Sequence, residues 1–310
     1  MSAPVSLEIF LGFLIFAVVF VPLERCFPHR RQPVFRPGWT TDVTYYVAGC
    51  LMGHLSDAAS LGAMLLIRRV TGPNPTSTAA LQPEWAQLLE IVIMSDLLVY
   101  LSHRCLHRFP CLWRFHRVHH SSRQMDWLAN VRLHPVDKLF EDSFKFIPIF
   151  WVGFADTPVL AYTILLTLHG FLNHSNVNIN FGFLRWIIAG PQFHHWHHAN
   201  DPDSYNKNFA PHLAIFDLLF GTAYLPAGRS MPNKYGIAEA VPESFWGQMI
   251  YPLRKIGPAS PTGYAKPHGE ALPIGTSLAQ ASDHPKESAF GMNGGARARV
   301  DRRAMKTRKG

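Results

Sequence analysis

Closely spaced histidines that recur in three separate segments constrain this fold more than any other feature of the sequence. The chain has 310 residues and 17 histidines. Three groups of histidines are spaced three or four residues apart: His103 and His107; His116, His119 and His120; and His194, His197 and His198. Such spacings place side chains on one face of a helix. Each segment is therefore predicted to be helical and to present a stripe of imidazoles.

Eight imidazoles grouped in this way predict a metal site. Neutral imidazole is the commonest metal ligand of proteins. Without a metal, protonated rings would repel each other and neutral rings would leave donors and acceptors unsatisfied. One such histidine alone is better explained as a hydrogen-bonded core residue, but three matching sets are not. The number of ligands exceeds what one ion takes, which predicts two ions, and imidazole suits zinc, copper, iron and nickel.

Apolar stretches predict a membrane protein. Only 16% of the residues are charged and 48% are hydrophobic. Residues 5–23 are long enough to cross a bilayer, and no basic residues precede them as in a signal peptide. Further apolar stretches cover approximately 43–67, 86–102 and 144–172. The sequence GFADTP at 153–158 interrupts the last stretch, which predicts a hairpin of two helices.

The fold class predicted from these features is all-α. We expect a multi-span membrane helical bundle of about four to five spans, with a cytoplasmic, histidine-rich helical cap that holds a dimetal site. Arginines follow the first and third apolar stretches, which predicts that the histidines and the C-terminal tail lie on the cytoplasmic side. Arg68 and Arg69 oppose this orientation mildly.

Two regions differ in composition. Residues 1–257 are predicted to form a membrane-embedded domain, with a histidine core at about 90–225. Residues 258–310 are rich in Pro, Gly, Ala and Ser and carry most of the net charge of +8, so they are predicted to be a disordered basic tail. Nucleic-acid binding is not expected, because no aromatic residues interleave the basic ones. The tail either adheres to anionic lipid headgroups or is simply solvated.

Four motifs carry a resemblance to a known family: SHRCLH (102–107), FHRVHHSS (115–122), LNHSNVN (172–178) and FHHWHH (193–198). They resemble the histidine boxes of the fatty acid hydroxylase / sterol desaturase superfamily, which are integral-membrane, non-haem di-iron oxygenases. The resemblance implies two iron ions, O2 as co-substrate, and hydroxylation or desaturation of a C–H bond in a lipid such as a sterol or fatty acyl chain. A separate electron donor, of ferredoxin or cytochrome b5 type with its reductase, is also implied.

The resemblance also assigns metal ligands. It adds His174 to the eight histidines of the three groups, and gives His134 and His169 a less secure place. His195 is left out, because many family members have arginine there. Asp96, two turns before His103, or Asn173 is expected to bind the second ring nitrogen of a ligand. Asp217 is expected to be structural, and five histidines are expected to be bystanders: His29, His54, His212, His268 and His284.

A non-catalytic metal-binding or metal-transport protein is the alternative interpretation. Such a protein would carry histidines inside its spans, along a path for the ion. Here the histidine groups follow the third apolar stretch and the predicted hairpin. This placement favours a site at the membrane boundary, and hence the oxygenase.

Overall fold

The computed structural model describes residues 4–72, 78–228 and 230–254. All regular structure in these residues is helical, apart from two isolated β-bridges. The α-helices are α1 Val5–Cys26, α2 Trp39–Thr71, α3 Glu84–Arg108, α4 Pro110–His116, α5 Pro135–Val152, α6 Asp156–His174, α7 Pro191–His197, α8 Ile215–Leu219 and α9 Phe245–Ile250. The all-α prediction is confirmed. The predicted tail with His268 and His284, and the side chain of His54, lie outside the described residues.

Three helices are long and apolar enough to cross a bilayer. They are Val5–Cys26, Trp39–Ile67 within α2, and Glu84–Arg108, which match the first three predicted spans. On α1 the side chains of Phe10, Ile15 and Val18 are 59%, 60% and 64% exposed, a surface that a bilayer would cover.

The predicted hairpin is formed by α5 and α6. The chain turns at Gly153, whose φ of 78° is in the left-handed region that glycine adopts at helix C-termini. α5 begins at Pro135, nine residues before the predicted start, because proline fits the first helical position and the side chain of His134 accepts a hydrogen bond from Val136 N–H. Neither helix is among the candidate spans of the described chain, so a total of four to five spans stays a prediction.

The hairpin packs into the bundle through apolar contacts. α5 packs against both α2 and α3, and α6 packs against α3. Buried Ile91, Ile149 and Tyr162 join α3, α5 and α6, and buried Phe20 and Phe171 join α1 to α6. Burial of each such side chain contributes about 1.5–3 kcal/mol. This packing brings the C-terminal ends of α3 and α6 into one region.

A buried ion-pair network fixes the loops beside these helix ends. Arg36 donates to Asp126 and to Asp42, the latter at 2.7 Å, and Arg132 Nε donates to Asp42 Oδ1 at 2.6 Å. Removing one partner of a buried pair leaves an uncompensated charge, which costs about 3–5 kcal/mol. The network therefore anchors the main chain around Arg132, which contacts a histidine of the site.

Candidate metal site

Nine buried histidines form two adjoining clusters. Cluster A consists of His103, His107, His116, His120 and His197, and cluster B consists of His119, His174, His194 and His198. Within each cluster the candidate ligand nitrogens lie within 4.8 Å of one another. The rings of His120 and His198 stack across the boundary, with centroids 4.5 Å apart. The structure thus brings together the eight histidines of the three sequence groups and His174, which the resemblance added.

The histidine stripes do not map one-to-one onto the clusters. α4 ends at His116, and His119 and His120 lie on the 3-10 turn that follows. His116 and His120 belong to cluster A, whereas His119 belongs to cluster B. The third set divides in the same way, since only His197 joins cluster A. The expectation that each set lies on one helix and one stripe is therefore wrong for the second set.

Main-chain carbonyls hold the outer ring nitrogens of four of these histidines. His103 Nδ1 donates to Phe209 O at 2.8 Å and His197 Nδ1 donates to Lys207 O at 2.8 Å. In cluster B, His119 Nδ1 donates to Arg132 O at 3.2 Å, and His174 Nδ1 donates to Gly170 O at 2.9 Å. A carbonyl only accepts, so each Nδ1 carries the hydrogen and each Nε2 has a free lone pair. This is the usual arrangement of a metal-binding histidine.

The Nε2 atoms of cluster B face each other at the spacing expected of metal ligands. His119 Nε2 and His174 Nε2 are 3.2 Å apart, although both are lone-pair acceptors. His194 Nε2 is 3.0 Å from His174 Nε2. Neighbouring ligands on bonds of about 2.1 Å are separated by about 3 Å. Facing lone pairs repel unless a cation lies between them, so the geometry fits a metal.

Cluster A also has unsatisfied ring nitrogens. Both nitrogens of His107 and Nε2 of His197 are buried and have no hydrogen-bond partner in the described chain. A buried polar atom without a partner costs about 1–3 kcal/mol. Coordination of a metal would satisfy one nitrogen of His107 and Nε2 of His197. Both clusters could therefore bind metal.

Burial keeps most of the imidazoles neutral. Desolvation, followed by the influence of neighbouring imidazoles, lowers the pKa of His194 and His198 well below the ordinary value, and burial lowers the pKa of His197 to about 3. His116 differs. Burial lowers its pKa, but the charge of Asp137 and a hydrogen bond from His116 Nδ1 to Asp137 Oδ2 at 3.0 Å raise it more, so the net shift is upward.

These shifts predict that the metal-free protein loses stability in acid. Between a folded pKa of about 3 for His197 and its ordinary value of 6.5, the unfolded chain binds more protons than the folded chain. Stability that is present above pH 6.5 is therefore lost as the pH falls toward 3. The raised pKa of His116 has the opposite effect on stability, but more of the clustered histidines have a lowered pKa. The melting temperature of chelator-treated protein, measured from pH 8 to pH 5, should fall steadily; an unchanged value would contradict the neutral state of the rings.

The acid expected to assist His103 has another role in the structure. Asp96 accepts hydrogen bonds from the main-chain N–H groups of His212 at 3.1 Å and Leu213 at 2.7 Å. It does not contact His103, because the outer nitrogen of that ring is bound to Phe209 O. Asn173 Nδ2 donates to Pro211 O. Asp137 is an acid that does contact a clustered histidine, and no histidine motif identified it. The sequence feature that could have identified it is the position of an acid in the first turn of α5, directly after NVRLHP at 130–135.

Five further histidines whose side chains the structure describes lie outside both clusters: His29, His134, His169, His195 and His212. Nδ1 of His134 caps α5, and its Nε2 lies 3.3 Å from Met249 O. His169 and His212 share a hydrogen bond between their Nδ1 atoms at 2.8 Å. His195 Nδ1 lies 2.7 Å from the Tyr235 hydroxyl. His134 and His169 therefore have partners that explain them without a metal.

Asp217 organises the loop that supplies two of the carbonyls. Its carboxylate accepts from Phe209 N at 2.9 Å, from Ala210 N at 2.7 Å and from Thr222 Oγ1 at 2.6 Å. The side chain is therefore structural, as expected, through backbone contacts within its own loop.

We expect Asp217→Ala to destabilise the protein by about 3 kcal/mol or more, because several hydrogen bonds to a buried carboxylate are lost at once. Thermal unfolding and metal content would be measured together. Lower metal content is expected, since the Phe209 carbonyl that orients His103 would be released. A variant with unchanged melting temperature would contradict this role.

A cavity of about 660 Å³ reaches both clusters. Histidines of both clusters line it, including His103 and His194. Its apolar walls come from several helices and include Val99, Phe146 and Leu166. The arrangement places the candidate metal ligands on the wall of a cavity whose lining is mostly apolar, which suits an acyl chain or another lipid group.

Comparison with known proteins identifies the family. The fatty acid hydroxylase family model matches residues 88–222. The chain is 30% identical over 243 residues to ornithine lipid hydroxylase OlsE of Rhizobium tropici, covering 76% of this chain and 72% of that protein. It is 32% identical over 126 residues to alkylglycerol monooxygenase of Xenopus tropicalis, covering 40% and 27%. For methylsterol monooxygenase 1 of Gallus gallus the identity is 29% over 148 residues, covering 45% and 48%. No solved structure matches the chain significantly.

The chain belongs to the fatty acid hydroxylase family, which confirms the resemblance drawn from the histidine motifs. Its relatives are lipid hydroxylases and monooxygenases, so it is an oxidoreductase by family. Three apolar helices of membrane-spanning length agree with an integral membrane protein. The chain spans only about a quarter to a half of the alkylglycerol and methylsterol monooxygenases.

Proposed function

We propose that this protein is a membrane-bound di-iron oxygenase that hydroxylates or desaturates a C–H bond of a lipid, using O2 and electrons from a separate donor. One observation carries the proposal: two adjoining histidine clusters with facing Nε2 lone pairs line a cavity with extensive apolar walls. Bound iron would supply the activation of O2.

Each cluster would hold one ion. Nine imidazoles exceed the ligand number of a single metal, and the absence of cysteine and carboxylate from both clusters favours a metal that accepts imidazole. Iron is proposed among these metals because of the family. The carbonyls of Phe209, Lys207, Arg132 and Gly170 orient the rings and fix the hydrogen on Nδ1.

The chain's own contribution to the reaction is to bind and orient the substrate. The apolar walls of the cavity would hold the lipid against the clusters, so that one C–H bond is presented repeatedly in the same position. The same walls limit the access of water to the reacting centre. Position and outcome, hydroxyl or double bond, then depend on the shape of this cavity.

The ornithine lipid hydroxylase matches 76% of this chain, a larger share than the alkylglycerol and methylsterol monooxygenases named above. We therefore take an acyl lipid with a polar headgroup as the first substrate to test, ahead of alkylglycerols and sterols. A donor of ferredoxin or cytochrome b5 type is proposed, with the histidine site and the tail on the cytoplasmic side of the membrane.

Comparative mass spectrometry of lipids from cells with and without the gene tests this function. We expect one lipid class to gain an oxygen atom, or to lose two hydrogens if the reaction is desaturation. Metal accumulation without any lipid change would instead support the metal-transport alternative. That alternative is weakened by the histidines, which gather at the ends of α3 and α6 rather than along a span.

A further inference from the structure

α5 carries a charged face inside the cavity that the metal site does not use. Four charged residues one or two turns apart line the cavity: Lys138, Glu141, Asp142 and Lys145. The helix packs between α2 and α3, so these groups lie within the bundle. Ionisable side chains in such a position are costly, and they usually mark a pathway or a binding site.

The two lysines share one carboxylate. Lys138 Nζ lies 2.7 Å from Asp142 Oδ2, and Lys145 Nζ lies 3.2 Å from Asp142 Oδ1. The Asp142 side chain is 4% exposed and that of Lys145 is 13% exposed, whereas that of Lys138 is 31% exposed, so the group is only partly shielded from solvent. Each ammonium has three N–H donors, and one contact to Asp142 leaves donors for a further acceptor.

This face presents two ammonium groups and two carboxyl groups to the cavity. Asp142 contacts both ammonium groups. Burial, followed by the charge of Asp137, raises the pKa of Glu141 to about 7, so Glu141 competes for the lysine donors less than a fully ionised carboxylate would. The N–H donors that Asp142 does not use can bind an anionic ligand group.

This charged face adjoins the metal site. Lys138 directly follows Asp137, whose carboxylate contacts His116 of cluster A. The lysines and His116 line the same cavity, whose remaining walls include apolar side chains such as Phe150 and Leu166. A molecule that fills this cavity needs an anionic end and an apolar end.

We propose that Lys138 and Lys145 form a subsite for the carboxylate or phosphate group of the lipid that enters the cavity. The identity of this lipid as the substrate depends on the proposed function, but the binding preference does not. The subsite holds the headgroup end of the lipid beside cluster A, which directs oxidation toward carbons near the headgroup.

Equilibrium binding of three probes with the same chain tests the subsite. Purified full-length protein in neutral detergent would be titrated at neutral pH with oleyl phosphate, oleate and oleyl alcohol. We expect the wild-type protein to bind at least one of the two anions about tenfold or more tightly than the alcohol. The stronger of the two anions identifies phosphate or carboxylate as the group recognised.

Two variants are expected to change anion binding in opposite directions. Lys138→Met with Lys145→Met should reduce anion binding to the level of the alcohol, whereas Asp142→Asn should tighten anion binding, because the lysines lose their competing carboxylate. Lys234→Met is the matched control, since Lys234 is exposed and does not line the cavity. Equal binding of all three probes by the wild-type protein would overturn the proposal, as would an Asp142→Asn variant that binds the anions no more tightly.

Metal analysis of the same preparations separates this subsite from the oxygenase assignment. Metal-loaded protein without a preference for anions would overturn the subsite alone. Metal-free protein that still prefers anions would support the subsite and count against the proposed function.

Discussion

Replacing His119 or His197 with alanine is expected to abolish lipid oxidation. The two residues test one cluster each, since His119 belongs to cluster B and His197 to cluster A. In both, Nδ1 is bound to a main-chain carbonyl, which directs Nε2 into the cluster. Loss of one ligand should weaken metal binding in that cluster and lower the bound metal by up to about half, because each cluster would hold one of the two ions. Metal analysis of purified protein and lipid mass spectrometry of expressing cells would measure the two effects.

His284→Ala is the control for these variants, because His284 belongs to no histidine motif. It should keep both metal and lipid product. Each variant must also retain the helical circular-dichroism spectrum of the wild-type protein, which excludes unfolding as the cause. A folded His119→Ala or His197→Ala protein with normal product would contradict the assignment of these clusters to the reaction.

The clustered histidines were accessible from sequence because their signal is local. His103 and His107 lie one turn apart, and the other two sets repeat that spacing, so residue type and spacing alone select these eight, whereas His174 came from the resemblance to the family. The first three spans were accessible for a similar reason, since each is a continuous apolar run. The hairpin followed from GFADTP, whose glycine adopts the left-handed conformation that ends α5.

The distribution of histidines between the two clusters could not be predicted from the sequence, because it depends on the path of the chain. α4 stops at His116, and the following 3-10 turn sends His119 away from His116 and into cluster B. The prediction for Asp96 failed for the same kind of reason. Helical periodicity places it below His103, but a distant carbonyl, that of Phe209, already occupies the outer nitrogen of that ring. Periodicity within one helix does not reveal a partner supplied by another segment.

Asp137→Asn is expected to weaken metal binding and lipid oxidation by about 10- to 100-fold, the usual cost of losing the partner of a metal-binding histidine. Asp137 Oδ2 accepts from His116 Nδ1 at 3.0 Å, and the two side chains are 0% and 1% exposed. Asparagine retains the shape and an acceptor oxygen but removes the charge. The His116 ring should therefore stay in place while its Nε2 becomes a poorer electron donor. Competition with a chelator would measure the metal affinity.

A pH measurement distinguishes this electrostatic role from simple packing. Asp137 raises the pKa of His116 against the effect of burial, so in metal-free protein the protonated ring adds stability that is present below pH 6.5 and is lost as the pH rises through the folded pKa. Asp137→Asn should remove this contribution, so that acid destabilises the variant more than the wild-type protein. Asp203→Asn, at an exposed position of the 3-10 turn Pro202–Ser204, should behave as wild type. If Asp137→Asn lowered stability equally at every pH, Asp137 would be a packing residue and not the electrostatic partner of His116.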